Sequence, residues 1–241
     1  MMGPSTFLAF GLLLGMQHAT EADHLAAVAS LASRERSLRA GVFHGIAWGI
    51  GHTLMLLIVA GALGFLGWVI SPLMAGNMER VVGAMLILLG VGVVRRLWRE
   101  RVHFHVHTHA DVKVSGPRSP ITHVHAHSHS HDRRPHQAGE HAHSHRLPWR
   151  SVVVGMVHGL AGSAALALLA SQSMPSPAWM LVYISIFGLG SILGMALLSG
   201  VLAIPLGLTA RHFTGAYRIL NGSVALFSLA LGVRLLFALG G

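Results

Sequence analysis

The sequence predicts an all-α polytopic membrane protein: six transmembrane helices built as a three-plus-three inverted repeat, with a disordered His-rich loop between helices 3 and 4. Three observations carry that prediction. Mean hydropathy is +0.61, with 53% hydrophobic and only 10% charged residues, whereas soluble domains carry about a quarter charged residues. The apolar residues fall into six stretches long enough for a hydrocarbon span, which needs about 20 residues. The second half of the chain also repeats short motifs of the first half at a nearly constant offset.

The stretches run near 7–31, 41–70, 78–98, 151–170, 178–208 and 214–239. The first has no basic residue before it and no small-residue cleavage site after it, so it is read as a span and not as a removable signal. Arg34, Arg36 and Arg39 follow the first stretch. A further ten Lys or Arg lie in and beside the insert after the third, and Arg211 and Arg218 follow the fifth, so these connections hold 15 of the 17 Lys and Arg. Residues 71–77 and 171–177 hold none. The positive-inside rule places the basic connections in the cytoplasm and both termini outside. This topology accounts for the formal charge of +9 without a nucleic-acid partner.

The repeat is read from Gly15-Met16-Gln17-His18-Ala19 against Gly155-Met156-Val157-His158-Gly159, and from Trp48-Gly49-Ile50-Gly51-His52 against Phe187-Gly188-Leu189-Gly190-Ser191. A weaker match pairs Gly92-Val93 with Gly232-Val233. An odd number of spans per copy requires the second copy to insert upside down, the plan of many secondary transporters, whose substrate site lies near the midplane between copies. The expected organisation is a first three-helix repeat at 1–98, a cytoplasmic loop at 99–150 and a second repeat at 151–241.

Chemistry concentrates in the first span, where Gln17-His18-Ala19-Thr20-Glu21-Ala22-Asp23-His24 places four ionisable residues on one membrane helix. Ionisable groups at that depth are costly and mark function by default. With cysteine absent, thiolate sites, copper(I) and iron–sulfur roles are disfavoured, and two imidazoles with two carboxylates form a divalent-metal ligand set. At about 100° per residue, His18 and His24 lie some 240° apart on a straight helix. Either the helix breaks near this motif or facing helices complete the site. His52 and His44 on the second span and His158 on the fourth are flanked by glycines that permit close helix approach. Glu21 is placed as a partner to an imidazole N–H, with direct ligation or proton acceptance as alternatives.

His18-x4-Asp23-His24 resembles the H-x4-D-H signature of the nickel/cobalt transporter (NiCoT) superfamily, and Gly51-His52-Thr53 resembles its Gly-His-Ser/Thr motif in the next helix. Six spans bring the chain closer to that superfamily's short, urease-accessory-like nickel permease branch. The resemblance implies secondary transport of Ni²⁺ or Co²⁺, with the signature histidines and aspartate as substrate ligands. The expected metal site is therefore His18, Asp23, His24 and His52, with His158, His44 and Glu21 as weaker members.

Residues 99–150 hold 13 of the 19 histidines, alternating along stretches such as 103–109 and 123–131. Such an array chelates borderline divalent ions, and its composition argues for disorder. Import is favoured over efflux, which a cytoplasmic His-rich collector would suit. The competing readings from other classes are an intramembrane metal-dependent hydrolase and a nontransporting metal receptor or accessory protein. No resident cofactor is expected. The expected partners are the metal ion, membrane lipid and a cytoplasmic metallochaperone.

Overall fold

A computed structural model describes residues 4–33, 37–99, 103–109, 121–127, 148–212 and 214–237. In chain order the described elements are α1 (Pro4–His18), α2 (Ala22–Ala32), α3 (Leu38–Leu66), α4 (Pro72–Arg99), β1 (His103–His109), β2 (Ile121–His127), α5 (Trp149–Ser173), α6 (Pro177–His212) and α7 (Thr214–Phe237). Residues 1–94 and 144–241 form one compact unit holding the helices; residues 95–143 form a second.

The chain is a multi-pass membrane protein. Four stretches among the described residues are long and apolar enough to cross a bilayer: Leu38–Leu66, Pro72–Arg99, Pro177–Thr209 and Gly215–Phe237. The expected first span is instead divided, because neither α1, with 15 residues, nor α2, with 11, reaches the required length alone. Large exposed apolar side chains such as Leu88, Val201, Ile219 and Leu226 lie on the long helices, as lipid-facing residues do.

The break between α1 and α2 is built by local hydrogen bonds. The backbone N–H of Thr20 donates to the Gln17 carbonyl (2.9 Å) and that of Glu21 to the His18 carbonyl (3.1 Å), tightening the last turn into i→i+3 geometry. The Thr20 hydroxyl donates to the same Gln17 carbonyl at 2.6 Å. Glu21 is extended at φ −62°, ψ 152°, and α2 restarts with Leu25 N–H on the Glu21 carbonyl.

Glycines let backbones meet in the helical unit. A Cβ at Gly51 would collide with the Val152 carbonyl oxygen, and one at Gly190 with the Leu12 carbonyl oxygen. Added Cβ atoms at Gly155 and Gly15 would strike the carbonyls of Trp48 and Phe187. Contacts that pair Gly45 with Met195 and Ser199, Gly49 with Ile192 and Gly64 with Met180 run α3 antiparallel to α6. Those pairing Gly155 with Trp48 and Gly159 with His52 run α5 parallel to α3. By the same logic Gly190 with Leu12 and Gly194 with Met16 run α1 parallel to α6. Buried hydroxyls tie further pairs: Ser30 meets Ser228 at 2.8 Å, and Ser228 donates to the Ala26 carbonyl at 3.2 Å, joining α2 to α7. One apolar core gathers Ala26, Ala27, Val28, Trp48, Leu86 and Met195.

Disorder was expected across the His-rich insert, and the structure corrects this in two places. Residues 103–109 and 121–127 pair as an antiparallel ladder in which His103, His105 and His107 face His127, His125 and His123. The physical reason is period: between the histidines stand Phe104, Val106, Thr108, Thr122 and Val124, β-favouring residues at every second position. A composition argument averages that alternation away. The remainder of the insert lies outside the described residues.

Candidate metal site

The α1–α2 break resolves the 240° problem. It brings the His18 and His24 rings to a centroid distance of 4.2 Å, and the close approach of α3 brings His52 to 5.3 Å from His18 and 5.2 Å from His24. One nitrogen from each of these three imidazoles lies within 4.8 Å of the others. Atoms of Asp23, His24 and His158 meet the same limit, so two triads share His24. His158, from α5, stands 4.1 Å from His24 and 6.0 Å from His52, ring to ring.

The carboxylates fix the imidazoles. Asp23 Oδ1 accepts from both the backbone N–H and Nδ1–H of His24, each at 2.9 Å, and Oδ2 accepts from His158 Nε2–H at 3.1 Å. Glu21 Oε1 accepts from His18 Nδ1–H at 2.8 Å. Since a carboxylate only accepts, these contacts assign the tautomers: His18 and His24 each keep a lone pair on Nε2, and His158 keeps one on Nδ1. This matches the carboxylate–imidazole pairing found behind metal-ligating histidines.

His24, His52 and His158 are at most 1% exposed. His24 Nε2, both His52 ring nitrogens and His158 Nδ1 are nevertheless without a hydrogen-bond partner. Buried polar atoms are nearly always satisfied, so a cluster of unpartnered imidazole nitrogens fits a borderline divalent cation as the missing partner. His18 is more open, with 13% of its side chain exposed, and Glu21 reaches 57%.

Of the sequence-derived residues, His18, Asp23, His24, His52 and His158 come together, and Glu21 joins through His18. His44 does not. It lies two turns, about 12 Å, before His52 on α3, where its Nδ1 meets Ser151 Oγ at 2.7 Å. Sequence reasoning missed the aromatic walls. Trp48 is fully buried and packs 5.5 Å from His24 and 5.3 Å from His158, while Phe187 packs 5.3 Å from His18. The signal was present, because Trp48 and Phe187 head the two copies of the repeated pentapeptide.

A family model described as high-affinity nickel-transport protein (NicO) matches residues 5–240, nearly the entire chain. The chain belongs to this nickel-transporter family. It is also 31% identical over 242 residues to the urease accessory protein UreH of Bacillus sp. (strain TB-90), covering 98% of this chain and 92% of that protein. No solved structure matches it. Membership makes the chain a membrane transporter of metal ions and not an enzyme, which removes the hydrolase reading. The metal is accordingly substrate.

Proposed function

We propose that this chain is a secondary permease importing Ni²⁺ or Co²⁺, with the ion held at mid-membrane by His18, His24 and His52. The observation that carries the reading is the convergence of three imidazoles, with lone pairs unpartnered on His24 and His52, at a helix break inside a bundle of apolar helices. His52 stands at the midpoint of the 29-residue α3, about 21 Å from either end at 1.5 Å per residue. That is the depth at which transporters place substrate between broken helices. Imidazole ligands suit nickel and cobalt.

With the ion held by these three imidazoles, Asp23 is a positioning residue. Both of its oxygens are engaged by imidazole N–H groups, so it orients His24 and His158 more than it binds the ion directly. Glu21 does the same for His18.

The six-span, three-plus-three plan is part of the proposal: α1 with α2 crosses as one broken span and α5 supplies another. The glycine contacts support it, because Gly51 on Val152 and Gly190 on Leu12 are the same contact in the two halves, as are Gly15 on Phe187 and Gly155 on Trp48. The antiparallel course of α3 and α6 is what inversion requires. Both termini then lie outside and the insert in the cytoplasm, where a metallochaperone would receive the ion. Import is favoured because the family is one of high-affinity nickel-transport proteins, and high affinity suits capture of a scarce external ion.

Uptake of radioactive nickel into vesicles containing only this protein tests the reading. His18→Ala, His24→Ala and His52→Ala should each abolish it, whereas His212→Ala, at the end of α6, should leave it unchanged. Near-normal uptake by the His24→Ala protein would overturn the site.

A further inference from the structure

We infer that the ion occupies two positions in turn, handed through His24 from the His18–His24–His52 triad to the Asp23–His24–His158 triad. The inference rests on the site reading above. Its ground is that the two candidate ligand groups overlap in a single residue. The His24 ring stands 4.2 Å from His18 on one side and 4.1 Å from His158 on the other.

A group that served only to brace Asp23 would need one hydrogen-bond donor, which a glutamine or serine would supply. His158 instead keeps a second ring nitrogen, buried and without partner, behind the one that donates to Asp23. That leaves the imidazole free to move its proton from Nε2 to Nδ1, which exposes the Nε2 lone pair beside Asp23 Oδ2, 3.1 Å away, with no net change in protonation. The second position then has a carboxylate and two imidazoles, a set equally suited to a borderline divalent ion. Each position keeps His24, so the ion need never be released fully between them. This lowers the barrier to moving a double charge through a medium where an unliganded ion is prohibitively costly.

The two ends of the path, His18 and His158, come from the two repeats. His18 and His158 are the equivalent histidines, and each is backed at 5.3 Å by the equivalent aromatic, Phe187 or Trp48. The non-equivalent pair, His52 and Ser191, makes the positions unequal. Ser191 donates its hydroxyl to the Gly15 carbonyl at 3.2 Å and so braces a backbone where His52 offers two nitrogens. The first position is thereby the tighter resting place, and the second is occupied in transit.

The test uses the full-length protein in nanodiscs for equilibrium Ni²⁺ binding and in proteoliposomes for uptake. His158→Gln keeps a donor for Asp23 and removes the imidazole. The expected result is one bound Ni²⁺ with affinity within about threefold of the unmodified protein, an unchanged imidazole count by X-ray absorption, and uptake slowed at least 100-fold. His158→Ala should behave likewise apart from a further loss of stability. Wild-type uptake by His158→Gln overturns the second position, because bracing Asp23 would then suffice. Loss of Ni²⁺ binding as complete as in His52→Ala also overturns it, since His158 would then belong to a single site. Failure of the underlying site reading is distinct: His18→Ala and His52→Ala would bind Ni²⁺ normally.

Discussion

Asp23→Asn separates a ligand from a residue that orients ligands. The carboxylate accepts three N–H groups, two from His24 at 2.9 Å and one from His158 at 3.1 Å. Asparagine has the same shape but one acceptor oxygen. Kept toward His24, that oxygen leaves the amide NH₂ facing His158 Nε2–H, donor against donor, until His158 changes tautomer. One charge-assisted hydrogen bond is lost, about 1.5–3 kcal/mol, and the His24 ring loses the negative charge that holds its orientation. Loss of such a partner typically lowers metal affinity about 10- to 100-fold, which is about 1.4–2.8 kcal/mol. Equilibrium Ni²⁺ binding to the purified protein, by competition with a chelator of known affinity, should show a weaker site with unchanged stoichiometry. His24→Ala in the same assay should show no specific site. If Asp23→Asn binds within threefold of the unmodified protein, the orienting role is wrong; if it abolishes binding as His24→Ala does, Asp23 is itself a ligand.

Three further outcomes are expected. Gly51→Ala and Gly190→Ala should each destabilise the protein by about 1–3 kcal/mol or more, because the new Cβ strikes a helix backbone. Gly61→Ala, on the same helix with nothing within 4 Å, should be neutral or slightly stabilising; thermal unfolding in detergent ranks the three, and equal melting of all three would refute the packing argument. Replacing residues 103–145 with a Gly/Ser linker should leave substantial uptake while reducing the metals bound per protein, and complete loss of uptake with normal membrane insertion would show that the insert belongs to the path. A cysteine at Ser128 in this cysteine-free chain should resist impermeant reagents in intact cells, and labelling there would reverse the assigned orientation.

The parts legible in the sequence were those governed by short-range pattern. Apolar runs gave the long helices, and the angular arithmetic between His18 and His24 demanded a break or a second helix; the structure uses both. What was not legible depended on distant contacts. Nothing in the sequence pairs Asp23 with His158, 135 positions away, because a carboxylate beside histidines reads equally well as ligand or as brace. The exact place of the break was not legible for a related reason: residues 19–21 are Ala, Thr and Glu, none of them a helix breaker, and the turn forms through carbonyls that hydropathy does not register. The His-rich ladder was lost in the opposite way, by attending to composition where the period carried the information.

On the proposed three-plus-three plan, the pairing of the two halves explains why the histidines collect where they do. Four backbone-on-backbone glycine contacts bring α1 against α6 and α3 against α5, and each places one histidine beside one aromatic: His18 by Phe187, His158 by Trp48. A protein built only from those two equivalent halves would have matched histidines and no directional preference between them. Two departures from equivalence supply it. His52 answers to Ser191, adding an imidazole on one side only, and the helix break carrying Asp23 and His24 occurs in the first half, while Val154–Ala161 of α5 continue as uninterrupted helix through His158. In the proposed site the broken half therefore holds most of the candidate ligands and the unbroken half supplies a rigid wall with one histidine, a division in which a small movement of the α1–α2 turn would change which neighbours His24 can share an ion with. On this account Gly155, which seats α5 against the Trp48 carbonyl, matters to transport although it touches no ion: a side chain there would push His158 away from His24 and separate the two triads.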